Sequence, residues 1–490
     1  MTPYPRSHVD VLGVPIGTPH SARSRRTLLS LMLVAQLMVI LDISAVNVAL
    51  PSMAADLGIG SSDIGWVITS YSLVFGSLLL LGGRAADLLG RRRTLLTGLA
   101  IFTASSFAAA MVATGSGLFV ARAGQGLGAA LVSPAALSVI MATFREGQAR
   151  ASALAAWGAV SGAGAAVGVL FGGVLTQYID WRAIFFINLP VGLVLAVGAQ
   201  RLVAQDDREA RWRGLDLPGA ILASASLGTL VYAVSQADSV GWTSAQTWGL
   251  GLASLLGLAG FAAVETRTSR PLLRIATLAD RAVSAGFLLM LTASALLFGS
   301  FLLVSLYLQS VLDTDPLGTG LAFLPMAATL AIGVHLAGQL IGSRGIRVPM
   351  VVGFAVASAG MLFLSNVGAQ AAYLPDILPG MAVLGLGLGI VLVSVSVAVM
   401  TGAHDDEVGM LSGLNTTGHE IGGSLGVAVL VTIATTSIGA SQDGLADGIG
   451  QAFFVAAVAS LLAAALAVFL LPPARAFLPK FRSSPRVSLH

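Results

Sequence analysis

What most constrains this chain is that it runs, again and again, for about twenty residues with almost no charge. The window 283–308, for example, holds no Asp, Glu, Lys or Arg. The hydrocarbon core of a bilayer is about 30 Å thick and takes about 20 helical residues to cross. Fourteen windows meet that demand: 27–50, 66–82, 95–114, 117–141, 152–176, 183–202, 217–236, 247–264, 283–308, 319–341, 348–368, 375–400, 409–437 and 449–471. The runs are continuous, whereas barrel strands are about ten residues long and alternate apolar with polar positions. The expected fold is all-α and polytopic, a membrane-embedded helical bundle.

Composition narrows the function. Charged residues make up 10% of the 490 and hydrophobic ones 56%, against roughly 25% and 45 to 50% in a soluble protein. So few charges cannot cover a soluble surface, which excludes a soluble enzyme and a nucleic-acid module. The net charge of +3 is too small to argue for an anionic polymer as partner, and membrane proteins keep basic residues for orientation. There is no cysteine, so no disulfide, thiolate metal site or cysteine nucleophile is available.

The basic residues fall on one side. With a cytoplasmic N-terminus, 24 of the 26 Lys and Arg lie in inside segments, leaving Arg182 in an outer loop and Arg122 within a span. That bias predicts an N-in, C-in topology and an even number of spans; fourteen satisfies it, as twelve or sixteen would. The expected organisation is a cytoplasmic tail 1–26, a six-helix bundle 27–202, two inserted helices with linkers 203–282, a second six-helix bundle 283–471 and a cytoplasmic tail 472–490. The apolar stretch after residue 26 is too long for a signal-peptide core and reads as a retained first span. A repeat supports two related halves: an offset of 255 residues maps Gly83, Gly90 and Arg92 onto Gly338, Gly345 and Arg347. Chance coincidence is the competing reading in a chain with 58 glycines.

Ionisable residues inside spans are costly in lipid and default to functional candidates. Five qualify: Asp42, Arg122, His335, His419 and Glu420. Asp42 lies about 22 Å into the first span at 1.5 Å per residue, and Arg122 sits at comparable depth. Such a pair can switch a carboxyl between proton-bound and proton-free states, or simply fix two helices together. Glu420, near the middle of its span, can take a proton or pair with a cationic molecule, or hydrogen-bond structurally. Neighbours on a helix point about 100° apart, so His419 and Glu420 cannot both face one cavity squarely. His335 reads as a helix–helix contact. The segment Gly83 to Arg93 reads as a latch loop: Gly83 and Gly90 for tight turning, Asp87 for the positive end of a neighbouring helix, and Arg91, Arg92 and Arg93 for the cytoplasmic interface. Glycines such as Gly158, Gly162, Gly164, Gly168, Gly172 and Gly173 read as close-packing positions. No Walker loop and no metal-ligand spacing occurs, so neither ATP nor a metal is expected.

These residues resemble the major facilitator superfamily, in particular its fourteen-span drug:proton antiporters, the QacA/EmrB-like multidrug exporters. The segment GRAADLLGRRR from Gly83 to Arg93 is similar to the superfamily's loop between helices 2 and 3. LDISAVNVALP at 41–51, WVITSYSL at 66–73, RAGQG at 122–126, WRAIFFINLPVG at 181–192, LYLQ at 306–309, GLAFLP at 320–325 and NTTGHEIGGSLG at 415–426 continue the match in order. Two departures stand out. Val169 replaces a helix 5 motif proline, and His419 with Glu420 stands where the family has a basic residue and Gln. The resemblance implies a proton-coupled, multi-pass exporter of the plasma membrane, driven by the proton motive force without a cofactor. Its expected partners are a small hydrophobic or cationic substrate such as a drug or antibiotic, protons and membrane lipid, with no nucleic acid, and a monomer is expected. Motif position implies proton coupling by Asp42, Arg122 and Glu420, a substrate cavity lined by Asn47, Tyr71, Gln125, Tyr307, Asn415 and His419, and a latch that favours the outward-facing state. An importer, or a dedicated exporter of one host metabolite, fits the same residues. A membrane enzyme or sensor would need a catalytic pair or an output domain that the sequence lacks.

Overall fold

A computed structural model describes residues 22–60, 63–144, 147–204, 216–268, 271, 273, 275–400, 408–436, 442–475 and 477. Residues 1–21 of the expected N-terminal tail, the charged segment 205–215 and most of the expected C-terminal tail lie outside the described residues, and α1 already begins at Ala22, inside the expected tail. Among those described, the chain is helical and contains no strand. Its long helices are α1 Ala22–Leu57, α2 Trp66–Leu89, α3 Arg91–Met111, α4 Gly115–Thr143, α5 Gly147–Tyr178, α6 Asn188–Leu202, α7 Leu217–Val240, α8 Ala245–Glu265, α9 Arg281–Leu306, α10 Leu324–Arg344, α11 Arg347–Leu364, α12 Leu378–Met400, α13 Val408–Thr436 and α14 Gln442–Leu470. One-turn helices at Ala183–Phe186, Ile275–Leu278 and Pro316–Ala322 and π-turns at Tyr307–Val311 and Tyr373–Ile377 complete the path.

Eleven of these helical columns are long and apolar enough to cross a membrane among the described residues, and the shorter apolar stretches Trp66–Leu79, Val167–Tyr178 and Pro218–Val234 lie on α2, α5 and α7. Starts are set by side chains that accept from freed N–H groups: Thr114 from Gly117, Ser244 from Thr247, Asp280 from Ala282 and Asp315 from Gly318. Each supplies a partner for a donor that the first turn leaves unpaired.

The expected loop from Gly83 to Arg93 is a correction. The chain stays helical to Leu89 and resumes at Arg91, breaking only at Gly90, whose φ is 98°. Ala85 and Ala86 are buried, so packing holds the last turns of α2 in helical form. The related site behaves alike: α10 runs to Arg344, Gly345 takes φ 70°, and α11 starts at Arg347. A positive φ at the same place in both halves is a conformation only glycine adopts without strain.

The helix pairs in contact also fall into two matching sets. In the first half α2 packs on α4, α3 on α4, α1 on α5 and α3 on α6; in the second α10 packs on α12, α11 on α12, α9 on α13 and α11 on α14. Every contact in one set recurs eight helices later in the other. The helices α7 and α8 pack on each other, and α7 also touches α2 and α13.

For orientation, the distal end is where α1 finishes and α2 begins; the proximal end is where α2 finishes and α3 begins. The halves share core at the distal end only. There Leu302, Val427 and Val431 join a cluster of first-half residues, while Val48 and Val169 join the second-half core. Proximally, the first-half cluster around Met32, Leu95, Phe102 and Val139 contains no second-half residue. Val169, standing in place of the motif proline, leaves α5 unbroken from Gly147 to Tyr178. Also at the distal end, Arg182 pairs with Asp56 at 2.8 Å and stacks on Trp181, tying α1 to the turn before α6.

Candidate functional site

Four helices of the first half each send a polar side chain to one buried point. Asp42, near the middle of α1 and 2% exposed, forms an ion pair with Arg122 of α4, 1% exposed. Gln125, one turn further along α4, donates to Asp42 Oδ1 at 2.8 Å and accepts from Arg122 Nη1 at 2.8 Å. Asn188, the first residue of α6, donates to the same Asp42 oxygen at 2.9 Å. Ser106 of α3 accepts from Gln125 at 2.8 Å and from Asn188 at 3.3 Å. Arg122 Nε is bound by the Val67 carbonyl of α2 at 3.0 Å, and its guanidinium lies 4.4 Å from the centroid of the Tyr71 ring.

This arrangement answers the cost of burying charge. An ion pair removed from water needs additional hydrogen bonds to offset its desolvation, and Asp42 has three donors while Arg122 has two further acceptors and an aromatic face. A guanidinium over a ring adds a favourable electrostatic term. Through these contacts Asp42 and Arg122 tie α1, α3, α4 and α6 together at one point.

The second acid lives in opposite surroundings. Glu420 on α13 is 4% exposed, and its Oε2 has no hydrogen-bond partner. No ion pair reaches it among the described residues. It faces α2 at very short range, since a Cβ added to Gly76 would lie 2.6 Å from the Cβ of Glu420. Other buried oxygens nearby in the fold also lack partners: Tyr71 Oη and Ser72 Oγ on α2, Thr417 Oγ1 and Ser424 Oγ on α13, and Ser300 Oγ on α9. Thr417, Glu420 and Ser424 follow the spacing of one helix face. Native proteins leave few buried polar groups unpaired, and a cluster of them marks a place where water or a ligand completes the bonding.

Helix α2 joins the two acids. Its Val67 and Tyr71 meet Arg122, and its Gly76 meets Glu420. His419 points elsewhere, to α9, where its Nδ1 meets Ser294 Oγ at 2.5 Å and its ring lies edge-on to Phe298. Gln125 and Tyr71 of the expected cavity set therefore belong to the surroundings of Asp42, and His419 sits against α9. Asn47 is buried on α1 and donates to Ile43 C=O at 3.0 Å, its Oδ1 left without a partner. Tyr307 stands in the π-turn after α9 and donates to Gly368 C=O at 2.5 Å, away from both acids. Asn415 donates to Ser396 of α12 at 3.3 Å. His335 is exposed on α10 and meets only Gln339, 3.0 Å away on the same helix. Of the latch residues, Arg91 Nε donates to Ser138 of α4 at 2.9 Å, and Gly83 faces Pro134 of α4. The side chain of Asp87 lies outside the described residues. Its counterpart region is held by Arg347, which donates to Leu471 C=O at the end of α14.

Sequence reasoning did not single out Asn188 or Ser106. Asn188 is the one uncharged hydrogen-bonding side chain between Arg182 and Gly198, which is a usable signal. Ser106 carries none, because a serine in a membrane helix ordinarily bonds back to its own helix, as it also does here with Phe102 C=O at 2.8 Å.

Comparison with known proteins gives a consistent picture. The family model described as Major Facilitator Superfamily matches residues 32–427. The puromycin resistance protein pur8 of Streptomyces alboniger is 39% identical over 90% of this chain and 90% of its own length. The cephamycin export protein CmcT of Amycolatopsis lactamdurans is 36% identical over 94% and 96%, and the lincomycin resistance protein of Streptomyces lincolnensis 35% identical over 93% and 93%.

Proposed function

This chain belongs to the major facilitator superfamily, and from that premise we propose that it is a proton-driven exporter of small hydrophobic or cationic molecules, antibiotics among them. Family membership makes it a multi-pass transporter of the cell membrane and not an enzyme. The finer reading has fourteen spans with both termini cytoplasmic, two six-helix halves at 27–202 and 283–471 that rock about a central cavity, and the proton motive force as energy source without a cofactor. It acts as a monomer on its substrate, protons and lipid.

The observation that carries this reading is the contrast between two buried acids that share α2, one ion-paired and bonded by two amides, the other with no ion pair among the described residues and an Oε2 without a hydrogen-bond partner. Asp42 is the proton-coupling group: ionised it holds Arg122, and neutral it releases it, so proton occupancy changes how α1 and α4 grip each other. Glu420 is the group whose charge needs a partner from outside the protein, either a proton or the cationic part of a substrate. Competition between those two partners is what exchange requires. At 100 mV each proton moving inward supplies about 2.3 kcal/mol from the potential alone. The relatives named for puromycin, cephamycin and lincomycin support an antibiotic as the substrate.

The test is a resistance panel in cells with and without the protein, paired with proton movement in inverted vesicles on addition of each compound. Export of at least one compound with coupled proton movement is expected. Accumulation of substrate into cells expressing the protein would reverse the direction of the reading.

A further inference from the structure

We infer that Pro51 of α1 creates an acceptor that Ser305 of α9 takes, and that Ser305 together with Gln309 of the π-turn that follows α9 bolts the distal end shut. Helix α1 continues through Pro51 to Leu57. Proline has no N–H, so the carbonyl four residues earlier loses its helical donor. That carbonyl belongs to Asn47, and it accepts from Ser305 Oγ at 3.0 Å. The next carbonyl, of Val48, accepts from Gln309 Nε2 at 2.8 Å, and the second N–H of the same amide donates to Ser305 Oγ at 3.1 Å. Every donor of the pair is spent: one from the hydroxyl and two from the amide. Ser305, Asn47 and Val48 are all buried.

Local geometry brings Gln309 to this place. It lies in the π-turn Tyr307–Val311, where Leu312 N–H bonds to Tyr307 C=O five residues back. Single π-turns re-aim side chains and recur at functional positions. The bolt lies where the two halves share core, beside Val48 and Leu302, and the acceptors of its two cross-half bonds are main-chain atoms of α1. Opening the distal end must break both cross-half bonds, and an isolated Asn47 carbonyl then has no helical donor to return to. Pro51 thereby makes the closed state the one in which α1 is fully bonded.

The inference rests on the alternating-access reading above, so its test reads the gate and not transport. The chain has no cysteine, so a Val48→Cys variant carries a single thiol at the seam for a membrane-impermeant maleimide applied to right-side-out and inverted vesicles. Gln309→Ala and Ser305→Ala should each raise the labelling rate about fivefold, the worth of one net hydrogen bond. Pro51→Ala should raise it similarly although residue 51 gives α9 nothing, because its restored N–H competes for the Asn47 carbonyl. Ser305→Thr, which keeps the hydroxyl, should return labelling to the starting rate and shows that the variants are folded. No rise for Gln309→Ala and Ser305→Ala from either side overturns the bolt. A rise for them without one for Pro51→Ala overturns the proline's part in it. A rise seen only in inverted vesicles supports the bolt and overturns the N-in topology, so the two readings fail separately.

Discussion

Asp42 and Glu420 are both carboxyls buried in the helical bundle, and α2 touches the surroundings of each. Around Asp42 three helices contribute an arginine, two amides and a serine, and every one of those groups bonds within the one network. Glu420 has an Oε2 without a hydrogen-bond partner and a glycine pressed against its Cβ. The difference teaches how a protein with so few charges can divide labour between them. A carboxylate with its cation and donors in place is a structural element whose loss is expensive. A carboxyl lacking them contributes little to stability and is open to a partner that arrives and leaves.

The contrast can be broken at its strongest point by Arg122→Leu. This strands Asp42 as a buried charge with its cation gone, and removal of one member of a buried pair costs about 3 to 5 kcal/mol. The melting temperature in detergent should fall steeply and uphill efflux should vanish; an unchanged melt would mean the pair holds nothing. Next in size is Gly76→Val. Its Cβ would come within 2.6 Å of the Cβ of Glu420, so α2 and α13 must part, at about 1 to 3 kcal/mol for overpacking. A thermal melt and an efflux assay should both register it. Ser106→Ala removes the hydroxyl that accepts from Gln125 and Asn188, and should cost about 1 kcal/mol, measured by the shift in denaturation midpoint. Smallest in stability is Glu420→Gln, an isosteric change at a carboxyl with no ion pair among the described residues, expected to cost about 1 kcal/mol or less. Its effect should show in selectivity: efflux of cationic compounds falls about tenfold, equivalent to 1.4 kcal/mol, while neutral compounds are spared. Equal loss for both classes would remove Glu420 from cation recognition.

Much of this architecture is legible in the sequence, because lipid demands long apolar runs and each run reads directly as a helix. Asp42, Arg122 and Glu420 are legible for the same reason, being charges where charge is costly. What the sequence hides is convergence. Ser106, Gln125 and Asn188 come from three helices far apart in the chain and meet only after packing. Local propensity misleads at Gly83 to Leu89, where glycine, arginine and aspartate suggest a loop but buried Ala85 and Ala86 keep the helix going. At Pro51, too, α1 continues, and the carbonyl that the proline leaves without a helical donor is met by Ser305 of the other half. In each case a contact made by distant chain outweighs a local preference.

The central claim is that Asp42 couples the proton to export. The most direct measurement is proton movement across inverted vesicles on adding a transported cationic compound to the parent and to Asp42→Asn at equal membrane expression. The account predicts a substrate-evoked proton flux in the parent and none in Asp42→Asn, with downhill substrate exchange retained. Normal proton-driven efflux in Asp42→Asn would contradict it.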